Sequence, residues 1–189
     1  MEKSQITDIY NYRSVDNTLS TSGQPTEAQF ASVARDGFSV VINLALHSDS
    51  RYSLRDEPGL VRSLGMEYIH IPVDFEAPRE SDLLAFFDAM GKHHGKKIFL
   101  HCAANKRVSA FLGLYNAIKR AKPADEAFGL MRTIWEPNPL WESFISSFLI
   151  PKNHTGGRGM GQYSAVAILQ FPLRDGQTAG HVNNLAGGG

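Results

Sequence analysis

The chain has 189 residues, of which 42% are hydrophobic, so it is long enough to bury one substantial core. Its 19 Lys and Arg residues balance its 19 Asp and Glu residues, which excludes an overall charge that would attract nucleic acid or an acidic membrane. A single cysteine excludes an internal disulfide, the start MEKSQITDIYNY lacks a signal-peptide pattern, and no apolar run approaches the roughly 20 residues of a membrane span, so we expect a cytoplasmic protein.

The chain alternates predicted strands and helices. Short, apolar, β-branched stretches predict buried strands at residues 38–46, 66–73 and 96–102. Apolar residues at helical spacing predict helices within residues 25–38, 53–65, 79–93, 107–121, 123–135 and 138–149. Because parallel neighbours need crossover connections, this order predicts an α/β fold with a mainly parallel central sheet of four to five strands flanked by helices.

Domain organisation follows from a change in composition near residue 151. Residues 1–151 are predicted to form one domain, and residues 152–189 a glycine-rich, poorly ordered tail. The tail holds nine of the 17 glycines, four charged residues and no sustained hydrophobic period.

The sequence HCAANKRVSAF puts Cys102 where the third predicted strand ends and a helix begins. Ligands of open α/β sheets bind at this carboxyl edge. The small Ala103 and Ala104, followed by Asn105, which tolerates a positive φ, allow the backbone to turn its amides inward. Together with the positive end of the helix, these amides predict an anion cradle that stabilises a Cys102 thiolate. Arg107 offers a planar fork for two oxygens of a phosphate or sulfate.

We also expect His101, Lys106 and Ser109 to contribute to substrate binding, together with residues 103–105. For His101, a structural role that holds the loop is an equally good interpretation. Lys106 also fits a solvated side chain, and Ser109 fits a hydroxyl bonded to its own helix. No set of His, Cys and carboxylate residues has the spacing of zinc ligands, so neither a metal nor another cofactor is expected.

The stretch HCAANKRVS resembles the active-site loop of the cysteine-dependent protein tyrosine and dual-specificity phosphatases, most closely the bacterial β-lactamase-hydrolase-like branch. The stretches TSGQPTEAQF, GFSVVINL and YIHIPVDF match in the same order, so the resemblance covers about residues 17–120. It implies a dual-specificity-phosphatase-like fold and a phosphorylated protein or small phosphoester as substrate. It also implies that Cys102 attacks phosphorus, Arg107 binds the phosphoryl oxygens, and Asp74 protonates the leaving group.

The spacing between the cysteine and the arginine leaves other functions open. Four residues separate Cys102 from Arg107, whereas the usual phosphatase loop has five. A loop of this length also resembles that of rhodanese-type sulfurtransferases, and a non-catalytic phosphate-binding module is a third interpretation. Asp74 favours phosphate chemistry, because the departure of a poor leaving group needs a proton and sulfur transfer does not. Glu76 is the alternative acid.

Overall fold

The computed structural model describes residues 4–48, 51 and 53–149. The predicted tail at residues 152–189 lies outside the described residues. Within the described part of the chain, five strands form one sheet: β1 (Arg13–Asp16), β2 (Leu19–Ser22), β3 (Val40–Asn43), β4 (Glu67–His70) and β5 (Ile98–His101).

The sheet is mainly parallel, as predicted, with the strand order β1-β2-β5-β3-β4. Among the five described strands, β1 and β2 pair antiparallel and the other three pairings are parallel. The register aligns Ser22 and Asn43 with His101, and Asn43 with His70. Four strands therefore end in one row, and this row forms the carboxyl edge at which the sequence predicted a site.

The predicted helices are present: α1 (Glu27–Arg35), α2 (Glu57–Ser63), α3 (Glu80–Lys92), α4 (Lys106–Lys119), α5 (Ala124–Ala127), α6 (Gly129–Arg132) and α7 (Pro139–Leu149). The prediction of one continuous helix within residues 123–135 is wrong, because the structure has two short helices there, α5 and α6. Phe128 lies between them, and its ψ of 7° falls outside the range of an α-helix. Its buried ring lies against Gly113 of α4, where a larger residue would collide with it.

The hairpin of β1 and β2 was not predicted from the sequence. β1 is largely exposed, and β2 is buried but consists of Leu19 followed by three hydroxyl-bearing residues. A search for apolar, β-branched runs therefore passes over both strands. The hairpin matters for the site, because β2 pairs directly with β5.

Each face of the sheet carries its own hydrophobic cluster. On one face, α1 and α2 contribute Phe30, Val33 and Val61. On the other, α3, α4 and α7 surround a larger cluster that includes Phe111 and the fully buried Trp141. Among the helices of the described residues, none is both long and apolar enough to cross a bilayer.

Candidate active site

The Cys102 loop begins directly after β5 and is fixed by the end of β2. The side chain of Cys102 is 1% exposed and belongs to the cluster formed with α3 and α4. Its backbone N–H donates to the carbonyl of Ser22 at 3.3 Å, and the carbonyl of Ala103 accepts from the backbone N–H of Gln24 at 3.1 Å. Hydrogen bonds to the end of β2 therefore fix the backbone that carries the Cys102 thiol.

Asn105 turns the loop into α4. Its φ is +63°, which confirms the expected left-handed conformation. The Asn105 side-chain amide donates to the carbonyl of Asn11 at 2.9 Å and to the hydroxyl of Thr21 at 2.8 Å. The amide of Asn11 in turn donates to the carbonyl of Ala104 at 3.2 Å. The loop is thus tied to the N-terminal hairpin, and the 14-residue helix α4 begins immediately after the turn.

Arg107 lies in the first turn of α4 and faces the loop that carries Asp74. It is 9% exposed, and its Nη1 donates to the carbonyl of Val73 at 2.7 Å. A guanidinium has five N–H donors, so this bond leaves donors for an oxyanion. The four-residue spacing therefore still brings the first turn of α4 against the backbone next to Asp74.

Asp74 is exposed and stands in a loop fixed on two sides. Its Oδ1 accepts from the backbone N–H of Glu76 at 2.9 Å. On one side is the contact of Val73 with Arg107, and on the other the carbonyl of Phe75 accepts from Nε1 of Trp141 at 2.9 Å. Asp74 is directly adjacent to the backbone that Arg107 holds, whereas the exposed Glu76 lies two residues further along.

Two other predicted site residues, Lys106 and Ser109, contact Trp135. The buried hydroxyl of Ser109 donates to the carbonyl of Lys106 at 2.9 Å and accepts from Nε1 of Trp135 at 3.2 Å. The exposed Lys106 holds its ammonium 5.5 Å from the centre of the Trp135 ring. These contacts stabilise the start of α4, and contact of either side chain with substrate stays a prediction.

His101 lies on the face of the sheet opposite to the thiol. It is fully buried, and its Nε2 lies 2.6 Å from Oε1 of Glu57, which is also fully buried. Glu57 further accepts from Nδ2 of Asn43 at 3.1 Å and from Nε2 of Gln24 at 2.7 Å. Burial raises the pKa of Glu57, but the electrostatic interaction with His101 and the hydrogen bonds from His101 and Gln24 outweigh it and hold that pKa below its ordinary value. Contact of His101 with substrate stays a prediction.

The polar network extends from Glu57 along the carboxyl edge. The Tyr68 hydroxyl lies 3.1 Å from Nδ2 of Asn43 and 3.2 Å from Nε2 of His47. The His47 ring stacks on His70 with 4.2 Å between centroids. Burial, reinforced by Glu57, raises the pKa of Tyr68, whereas burial and the neighbouring His70 lower the pKa of His47.

Sequence reasoning missed Glu57. An acidic residue in the first turn of a helix is expected on the dipole alone, so its position in RDEPG gave no sign of burial. The available signal was His101, since an ionisable side chain at the end of an apolar strand needs a buried partner.

An open groove of about 700 Å³ adjoins the loop at Ala103. Its lining combines polar and apolar side chains and includes Tyr10, Gln24, Glu27, Arg51 and Leu54. In the part of the chain that the structure describes, no three His, Cys or carboxylate side chains are arranged to hold a metal ion.

Residues 2–138 match a family described as DSP-PTPase phosphatase fused to NAD+ kinase. A crystal structure from Shewanella putrefaciens CN-32, of a protein assigned as a DUF442 phosphatase, is 34% identical and has a TM-score of 0.68, covering 76% of this chain and 93% of that one. The crystal structure of Tk-PTP in its active form is 23% identical and has a TM-score of 0.59, and the match covers 71% of this chain and 92% of the Tk-PTP chain. At this identity it shows a similar fold alone.

A curated relative, the beta-lactamase hydrolase-like protein of Xylella fastidiosa strain Temecula1, is 27% identical over 118 residues. The match covers 61% of this chain but 27% of that protein, so the chain spans about a quarter of its length. The comparisons confirm the resemblance carried by HCAANKRVS, and the five-stranded, mostly parallel sheet confirms the predicted fold class. The chain belongs to the family of DSP-PTPase phosphatases described as fused to NAD+ kinase.

Proposed function

We propose that this chain hydrolyses phosphate monoesters through a cysteinyl-phosphate intermediate on Cys102. The observation that carries the proposal is the contact of Arg107 with the carbonyl of Val73, directly before Asp74. It brings together the elements bearing the three residues that the mechanism needs, despite the short spacing in the loop. Family membership supports phosphate chemistry over sulfur transfer.

The proposed reaction has two steps. In the first, the Cys102 thiolate attacks phosphorus, an S–P bond forms, and the ester P–O bond breaks as Asp74 donates a proton to the leaving oxygen. In the second, water attacks phosphorus, the S–P bond breaks, and the Asp74 carboxylate accepts a proton from that water. Arg107 and the backbone amides of residues 103–106 stabilise the charge on the phosphoryl oxygens in both steps.

We propose that the groove beside Ala103 receives the body of the substrate. Its open shape admits a phosphorylated side chain on a protein as well as a small phosphoester. Tyr10, which is 61% exposed, gives the groove an aromatic side chain against which a phosphotyrosine ring can pack.

A comparison of substrates tests the proposal. The purified chain is assayed for release of inorganic phosphate from p-nitrophenyl phosphate and from a phosphotyrosine peptide, and for formation of thiocyanate from thiosulfate and cyanide. We expect phosphate release that disappears in Cys102→Ser, with no thiocyanate. Thiocyanate formation without phosphate release would instead identify a sulfurtransferase.

A further inference from the structure

Two buried ionisable side chains lie beneath the Cys102 loop, on the opposite face of the sheet from the thiol. Glu57 and His101 are fully buried and 2.6 Å apart. Removing a carboxylate from water is costly, and well-packed apolar side chains often stabilise a core as well as a buried ion pair does. A contribution to stability is therefore a weak explanation for this pair, and its position under the loop points to another one.

The Glu57 carboxylate links two segments that hold the start of the loop. Its Oε1 contacts His101, the residue directly before Cys102. Its Oε2 accepts from the side chain of Gln24, whose backbone N–H donates to the carbonyl of Ala103. Glu57 thus restrains the loop both through β5 and through the turn after β2.

A third link runs through β3. Oε1 of Glu57 also accepts from the side chain of Asn43 at 3.1 Å. The next residue, Leu44, donates its backbone N–H to the carbonyl of His101 at 2.9 Å. The peptide group that joins His101 to Cys102 is therefore held from β3 as well.

The direction of the hydrogen bond follows from the chemistry of the partners. An ionised carboxylate only accepts, so Nε2 of His101 carries a hydrogen and donates it to Glu57. The imidazole also packs edge-on against the ring of Phe30, with 5.6 Å between the ring centroids. This contact restricts the rotation of the imidazole. Because successive side chains alternate faces at the end of a strand, His101 acts on Cys102 through the backbone and not by side-chain contact.

We propose that Glu57 is a positioning residue, whose buried carboxylate acts through His101 to hold the Cys102 loop in its anion-binding arrangement. The inference rests on the proposed function, since it assigns Glu57 to the same site. Losing the carboxylate charge loosens the loop and displaces the backbone amides from the oxyanion. A misplacement of about 1 Å is enough to lower catalysis by about 10²-fold.

The test compares Glu57→Gln with Glu67→Gln. Glu67 also pairs with a histidine, His93, at 2.9 Å, but at the opposite end of the sheet, so it is a matched control. Tungstate affinity is measured by calorimetry, and kcat/KM with p-nitrophenyl phosphate, at a temperature at which circular dichroism shows each variant folded. For Glu57→Gln we expect about 10²-fold lower kcat/KM and about tenfold weaker tungstate binding, and for Glu67→Gln less than about two-fold change in either.

A merely structural role gives a different result. Folded Glu57→Gln with a lower melting temperature, but with tungstate affinity and kcat/KM within about two-fold of the control, overturns the proposal. If Glu57→Gln does not fold, Glu57→Asp replaces it, since the charge is kept but the shorter side chain cannot preserve the 2.6 Å contact. Weaker tungstate binding is then expected, and unchanged binding overturns the proposal.

Failure of the proposed function is distinguishable from failure of this inference. A wild-type chain that cleaves no phosphate ester but binds tungstate refutes the proposed function, and the tungstate affinities of the variants still decide the role of Glu57. A wild-type chain that neither cleaves a phosphate ester nor binds tungstate refutes both.

Discussion

Two pairs of glutamate and histidine lie at opposite ends of the same sheet, in very different surroundings. At the carboxyl edge, Glu57 and His101 are 2.6 Å apart with both side chains 0% exposed. At the amino edge, Glu67 and His93 are 2.9 Å apart with side chains 49% and 10% exposed. Lys96 also reaches Glu67 at 3.3 Å. The partners are chemically the same, but only the first pair is removed from water.

The difference sets a buried pair against a solvent-screened pair within the same sheet. Solvent screens the pair at the amino edge, so it contributes little to folding. The pair at the carboxyl edge bears a desolvation cost, and it is also the one next to the predicted phosphate-binding loop. Variants at the two edges should therefore differ both in catalysis and in stability.

The largest effect is expected at the nucleophile. In Cys102→Ser the hydroxyl is not ionised at neutral pH, so phosphate release should fall to the uncatalysed level while oxyanion binding persists. Steady-state turnover with p-nitrophenyl phosphate and calorimetry with tungstate measure the two effects. Turnover within about tenfold of wild type would show that Cys102 is not the nucleophile.

Asp74→Asn removes proton delivery but keeps the nucleophile, so the loss should depend on the leaving group. An alkyl phosphate should react about 10²–10⁴-fold more slowly, whereas p-nitrophenyl phosphate, with its stable leaving group, should be affected much less. The kcat values of both substrates are compared, with Glu76→Gln as the control. Equal losses with both substrates, or a larger loss in the control, would move the role of general acid away from Asp74.

Arg107→Lys tests whether the shortened loop still uses its arginine. An ammonium keeps the charge but cannot make the two-pronged contact, so kcat/KM should fall by about 10²–10³-fold. The measurement is kcat/KM with p-nitrophenyl phosphate, and Arg132→Lys on the exposed surface of α6 is the control. Activity within about two-fold of wild type would put Arg107 outside the phosphate site.

Acidification should distinguish the two pairs in stability. Because the pKa of Glu57 is lowered in the folded chain from its ordinary 4.5, its ionised form stabilises the fold above that value. This contribution is lost as the pH falls through the lowered pKa. We expect Glu57→Gln to lower the free energy of unfolding by about 1–3 kcal/mol at pH 7. The cost should shrink as the pH falls below about 4.5, which melting curves across this range measure. A stability difference between wild type and Glu57→Gln that grows on acidification would contradict the assignment of an ionised Glu57.

The smallest effect is expected at the amino edge. The bonds from His93 and Lys96 lower the pKa of Glu67, but the pair is solvent-screened. Glu67→Gln should therefore change the free energy of unfolding by less than about 1 kcal/mol, and by less still at high salt. Urea unfolding at two salt concentrations measures it. A cost as large as that of Glu57→Gln would remove the distinction between the edges.

The central strands and the loop were predictable because their signals are local. β3 and β5 are runs of apolar residues, and Asn105 is a residue type that accepts a positive φ in a short turn. The N-terminal hairpin was missed because β2 is buried but rich in hydroxyl groups. Its burial depends on its pairing with β5, which no local pattern reveals.

The network around Glu57 was not predictable for the same reason. Its members Gln24, Asn43, Tyr68 and His101 come from four separate segments, which the sheet register brings to one edge. Sequence spacing specifies the distance between neighbours along a helix or strand, but not between the ends of parallel strands.

The most direct test of the proposed mechanism is to trap the phosphorylated enzyme. Wild-type chain is mixed with excess p-nitrophenyl phosphate, denatured within milliseconds, digested, and mapped by mass spectrometry, with Cys102→Ser treated in parallel. We expect a phosphoryl group on the peptide that contains Cys102, and no modified peptide in the variant. Phosphate release with Cys102 unmodified, or a phosphoryl group on another residue, would contradict it.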